Sequence, residues 1–158
     1  MTEFTHLDAA GAARMVDVSG KDVTVRTAVA AGRVVVSAEV VALLRGGGVP
    51  KGDALAVARL AGIMAAKRVP DLVPLCHPVA LHAAEVELAV TDGAVEITAT
   101  CRTADRTGVE MEALTAVSVA GLALIDMVKA VDPAAVITDV RLIEKTGGRR
   151  GTWRRADT

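Results

Sequence analysis

The chain has 158 residues, 52% of them hydrophobic, with one Phe (Phe4), one Trp (Trp153) and no Tyr. Eighteen basic and 19 acidic residues leave a net charge of -1. So apolar a chain is not intrinsically disordered, and balanced charge with only two aromatics argues against a general nucleic-acid binder, which needs a basic surface or stacking platforms, leaving an RNA-binding module led by the basic tail as the weakest reading.

One domain fits this length, since domains run ~100–200 residues. Thirty Ala and 25 Val make the apolar content small-sided. One small domain offers too little interior for all of it, so part of the apolar surface is expected in subunit contacts. The longest uncharged apolar stretch is Ala113–Ile125, between Glu112 and Asp126. It falls short of the ~20 residues of a membrane span, so no membrane is expected. No signal peptide is read in Met1–Ala10, and Cys76 and Cys101 are expected as free thiols in the cytoplasm.

Residues 1–22 read as an extended N-terminal arm. Val23–Val36 reads as two strand runs of period two, with a turn at Ala31-Gly32. Ser37 is placed to cap a short helix to Leu44, and Gly46–Pro50 breaks regular structure. Asp53 caps a second helix to about Lys67, and Asp71–Pro78 reads as loop or a single turn. Ala83–Thr91 and Ala94–Arg102 alternate as strands around the hairpin signal Asp92-Gly93. Thr107-Gly108 opens a long helix from about Val109 to Ala130, stopped before Pro133. A last strand, Val136–Ile143, leads into a Gly-rich basic tail. This order is α+β, with a central antiparallel hairpin.

Polar clusters interrupt the apolar chain. Lys51, in the Gly-rich stretch 46–53, could meet an anion, although no Walker loop is present. Pro74-Leu75-Cys76-His77-Pro78 pre-positions an imidazole that serves as acid/base group, substrate ligand, metal ligand or satisfied core histidine. Metal ligation is the weakest of these, because no ligand pair shows ordinary zinc spacing. In Asp105–Glu112, a capping box between Thr107 and Glu110 accounts for Glu110. That leaves Met111 and Glu112 to face a ligand. Asp126 and Lys129 share a helical face as either an ion pair or a site. The run Lys145–Gly151, with Lys145, Arg149 and Arg150, suits either a loop that closes on phosphates or a disordered basic end. The residues by themselves lead to an enzyme or binder for a phosphorylated metabolite.

Long ordered runs then carry a resemblance. They are Thr5-His6, Met15–Val18, Lys51-Gly52-Asp53, Ala58–Ile63, Ala65–Lys67, Leu75–Pro78, Thr107–Thr115, Asp126-Met127 and Lys129-Ala130. In these the chain closely resembles the MoaC family of molybdenum cofactor biosynthesis, almost end to end. The resemblance implies a single ferredoxin-like α+β domain, an antiparallel sheet packed with helices. It divides the chain into an arm (1–22), the α+β unit (23–145) and a basic Gly-rich tail (146–158). It also implies a cytoplasmic homohexamer, a trimer of dimers, with sites between subunits.

The implied reaction rearranges a 3′,8-cyclised dihydro-GTP, supplied by a radical SAM cyclase, to cyclic pyranopterin monophosphate with release of pyrophosphate. No metal or organic cofactor is implied. Carried over by motif, Asp126, Lys51 and Lys129 are catalytic. Leu75, Cys76, His77, Met111 and Glu112 bind substrate, and Arg26 fits an arginine near the triphosphate. Glu110, Lys145 and Arg149 join them as substrate-binding candidates. One departure is the tail, where the family usually has lysine and serine after the two glycines and this chain has Arg149-Arg150. Arginine stays protonated, so this loop is expected to bind phosphate rather than shuttle protons. The alternative is a non-catalytic oligomeric nucleotide-binding or scaffold protein of the same fold.

Overall fold

The computed structural model describes residues 5–156. In chain order the elements are β1 (Thr24–Val35), α1 (Ala38–Gly46), α2 (Ala54–Ala66), α3 (Val69–Leu72) and β2 (Leu81–Val90). β3 (Ala94–Asp105), α4 (Glu110–Val128), β4 (Val136–Thr146) and β5 (Trp153–Arg154) follow. The strands form one antiparallel sheet in the order β2-β3-β1-β4-β5. α4 lies across β1, β3 and β4, and α2 packs beside it against β2. This is the expected α+β, ferredoxin-like arrangement in one domain.

Local signals set most boundaries. Ser37 Oγ accepts the Val40 N–H at 3.3 Å, and Asp53 Oδ1 accepts the Ala56 N–H at 3.0 Å, so both expected caps form. Gly47 closes α1 in the left-handed conformation, at φ 70°. The Asp92-Gly93 hairpin joins β2 and β3, with Val90 opposite Val95. Ile97 and Cys101 of β3 and Val117 and Leu124 of α4 are buried in one core cluster.

Three readings need correction. Ala31-Gly32 is not a turn, because β1 runs unbroken and Gly32 pairs with Ile97. A Cβ on Gly32 would lie 2.8 Å from Val117 Cγ1, so this glycine lets the core helix approach the sheet. The capping box at Thr107 does not form either. Val109 is the N-cap of α4 and has no side-chain cap bond, while the Glu110 carboxylate turns to Lys145. Last, α4 spans 19 residues and is long and apolar enough by length and composition to cross a membrane. The uncharged stretch alone understated it, because the helix continues past Glu112 and Asp126. Half of its most apolar window is buried in the fold, where it is the central core helix.

Ala and Gly make the α2–α4 contact close. A Cβ on Gly62 would meet the Ala116 carbonyl oxygen at 2.8 Å, and backbone cannot swing aside as a side chain can. Gly62→Ala adds up to ~1 kcal/mol of helix propensity, but forcing the two helices apart costs roughly 1–3 kcal/mol. The expected net result is a lowered denaturation midpoint in chemical unfolding.

Candidate functional site

Two adjoining cavities lie where the arm, the β3–α4 turn and the β4–β5 hairpin meet. The smaller, of about 240 Å³, is walled by Leu75, Cys76 and His77 from the proline-flanked loop, and by Glu110, Met111 and Glu112 from the first turn of α4. Thr5, His6, Val16, Val18 and Lys21 of the arm complete it. The larger, of about 730 Å³, is lined by Arg26, Glu110, Lys145 and the loop Gly147–Gly151 with Arg149 and Arg150. Glu110, Lys21 and Thr107-Gly108 belong to both. Nine of the expected site residues are thus brought together in one chain.

In the smaller cavity Glu112 is 3% exposed, and burial raises its carboxyl above the usual range, with the nearby Glu110 charge adding to the effect. His77 Nε2 lies 2.5 Å from the Val16 carbonyl oxygen. A carbonyl only accepts, so Nε2 carries the proton and Nδ1 is the nitrogen left for a ligand. This bond also fastens the arm over the cavity. Burial pushes the Cys76 thiol up, and Cys101, deep in the core, is pushed up to about 12. Both are neutral thiols at physiological pH and make poor nucleophiles.

The larger cavity is cationic. Lys145 Nζ binds Glu110 Oε1 at 2.9 Å, joining the end of β4 to the start of α4. Lys21, Arg149 and Arg150 make no ion pair with any described residue. The Gly-rich tail forms a hairpin rather than a loose end: Lys145 pairs with Trp153, and Gly147, Gly148 and Gly151 all take positive φ. Among the described residues neither cavity is lined by Phe or Trp, and Trp153 lies under the Arg155 guanidinium, 5.8 Å from the ring centroid. Phe4 lies outside the described residues. Among the described residues His, Cys, Asp and Glu nowhere form a group of three fit to hold a metal ion.

The remaining three candidates stand elsewhere. Asp126 accepts from Lys129 Nζ at 2.7 Å and from Lys51 Nζ at 3.3 Å, at the carboxyl end of α4. The Lys129 hydrogen bond, then the Lys51 one, hold its carboxyl below the usual range, so it is ionised at neutral pH. Glu112 and Asp126 are fourteen residues apart on α4, which at ~1.5 Å per residue is about 21 Å. The acid–lysine cluster and the two cavities therefore occupy opposite ends of one helix. One turn before Asp126, on the same face, Leu122 is 58% exposed, and Leu60 and Met64 of α2 are 61% and 65% exposed.

Lys21 and His6 were missed by sequence reading. The arm has no periodic pattern, and only the fold shows that it covers the cavities.

The family model described as "MoaC family" matches residues 15–148. A protein of Streptomyces coelicolor named "Cyclic pyranopterin monophosphate synthase" is 71% identical over 153 residues, covering 97% of this chain and 90% of its own length. "Cyclic pyranopterin monophosphate synthase 2" of Mycobacterium tuberculosis is 63% identical, over 97% of this chain and 92% of its own. A protein of Novosphingobium aromaticivorans named "Cyclic pyranopterin monophosphate synthase" is 53% identical, covering 99% of this chain and all of its own length.

Glu112 gives a sign test. A carboxyl whose pKa rises on folding binds its proton more tightly in the native state, so folding loses stability as pH rises through that range. Glu112→Gln removes the buried charge. The variant is expected to unfold at a higher denaturant concentration than the parent at pH 7. The gap should close below about pH 4, where the unfolded carboxyl is itself protonated.

Proposed function

The chain belongs to the MoaC family, and we propose that it is a cyclic pyranopterin monophosphate synthase of molybdenum cofactor biosynthesis. Its substrate on this reading is the 3′,8-cyclised dihydro-GTP delivered by a radical SAM cyclase, and the reaction class is a phosphorus–oxygen lyase. The observation that carries this reading is a small polar cavity opening into a larger cationic one at the amino end of α4. A ring and a triphosphate fit that pair. A helix amino end and glycine-loop amides also favour phosphate.

The parts divide as follows. His77 Nδ1 and Glu112 hold the polar edge of the ring, while Leu75, Cys76 and Met111 supply its apolar walls. Lys145, Arg149 and Lys21 face the phosphates. The arm (1–22), the α+β unit (23–145) and the tail (146–158) each contribute one wall.

In the phosphate step a substrate hydroxyl attacks the α-phosphorus and gives up its proton. The bond from that phosphorus to the bridging oxygen of the β-phosphate breaks, and pyrophosphate leaves with the electron pair. Asp126, held ionised between two lysines, is suited to take protons during ring opening and re-closure. Lys129 returns them, and Lys51 steadies the developing negative charge.

Asp126, with the two lysines bound to it, lies about 21 Å along α4 from Glu112, and an acid–base group acts only within hydrogen-bond reach. We therefore assign the Asp126 cluster to the site of a neighbouring copy in a homohexamer built as a trimer of dimers. Exposed Leu122, one turn before Asp126 on the same helix face, is suited to the contact.

Asp126→Asn and Lys51→Ala are expected to remain folded while pyrophosphate release from the cyclised substrate falls by roughly 10²–10⁴. Normal turnover by either would overturn the assignment, and substrate binding without turnover by the parent protein would mark a non-catalytic binder. Asp126→Asn chains co-assembled with Glu112→Gln chains are expected to regain activity, at about a quarter of the sites for random mixing. No recovery in mixed oligomers would mean that each chain completes its own site.

A further inference from the structure

Arg26 carries more than a positive charge into the larger cavity. In β1 it sits opposite Thr103 of β3. Its Nε donates to the Asp105 carbonyl at 3.1 Å and its Nη2 to the Arg106 carbonyl at 3.2 Å. Two successive carbonyls of the β3–α4 turn are thus gripped by one planar fork. On the other side, the tail loop lies against the same side chain. A Cβ on Gly148 would be 2.4 Å from Arg26 Nη1, and one on Gly147 would be 2.3 Å from the Val25 carbonyl oxygen and 3.1 Å from Arg26 Cγ.

Gly147 and Gly148 also hold positive φ, at 95° and 74° respectively, a region that L side chains rarely adopt. Three walls of the cavity therefore meet at one guanidinium: β1, the turn that starts α4, and the loop that carries Arg149 and Arg150.

We infer that Arg26 is a positioning residue: it fixes the spacing between the amino end of α4 and the Gly147–Gly151 loop, and with it the width of the phosphate-holding cavity. This inference rests on the proposed lyase function for its catalytic consequence, though not for the clamp itself. A simple phosphate ligand needs only a cation at this place. A clamp needs the fork, because an ammonium cannot span two carbonyls in fixed directions. The same clamp accounts for the glycine pair, since any side chain there would push the guanidinium off the turn.

The clamp is tested with Arg26→Lys, Arg26→Ala and Gly148→Ala, beginning with amide hydrogen exchange on the ligand-free protein. All three are expected to speed exchange at residues 106–110 and 146–151 at least tenfold while the β2–β3 hairpin keeps its protection. Emission of the single Trp153, whose neighbour across the strands is Lys145, should shift with them. With the cyclised substrate, kcat should fall at least tenfold in Arg26→Lys, about as far as in Arg26→Ala.

Recovery of kcat and KM to within twofold in Arg26→Lys, with exchange unchanged, would overturn the inference and leave Arg26 as a phosphate cation. If Arg26→Ala does not fold, Arg26→Lys and Gly148→Ala decide the matter. Failure of the parent protein to release pyrophosphate would sink the proposed function, while the exchange data still decide the clamp.

Discussion

A single helix of fixed length sets the terms for everything else in this molecule. α4 is the core of the fold, and both of its ends are chemically equipped. Its first turn presents Glu110, Met111 and Glu112 to the cavities, and its last presents Asp126 between two lysines. Because an α-helix does not compress, the two ends cannot come together on one ligand within one chain. Small residues along the middle, Ala113, Ala116, Ala120 and Gly121, allow the helix to press onto the sheet and onto α2. Close packing holds the helix rigid, so the distance between its two ends is set by the fold.

Environment tunes the two carboxylates on this helix in opposite directions. Asp126, exposed and hydrogen-bonded to two ammonium groups, stays charged. Glu112, nearly without solvent and close to another acid, is pushed toward its neutral form. The pair thus provides a carboxylate that stays ionised at one end and a carboxyl that holds its proton more tightly at the other, which suits a reaction with several proton transfers. Lys145 bound to Glu110 keeps one of the two neighbouring acids occupied.

Much of this was legible in the residues. Caps at Ser37 and Asp53 and the Asp92-Gly93 hairpin with its two period-two strands depend on local chemistry, and they formed as read. What failed was what depends on contacts distant in sequence. Gly32 looks like a turn until Val117 is seen above it. Thr107 and Glu110 match a capping box until Lys145, thirty-five residues on, takes the carboxylate. The same holds for the candidate site. Its chemistry-bearing residue types stand out against an apolar background, but Lys21 and the arm show no pattern that marks them as walls. Nor can a linear reading show that Arg26 spends two donors on backbone carbonyls.

The separation of the two ends of α4 also bears on how such a protein behaves when it is scarce. The sheet and the core helix come from one chain, but on the proposed arrangement no chain can complete a site by itself. Catalytic competence then obeys mass action. Dilution alone would silence the chemistry, and specific activity would rise with protein concentration until assembly saturates.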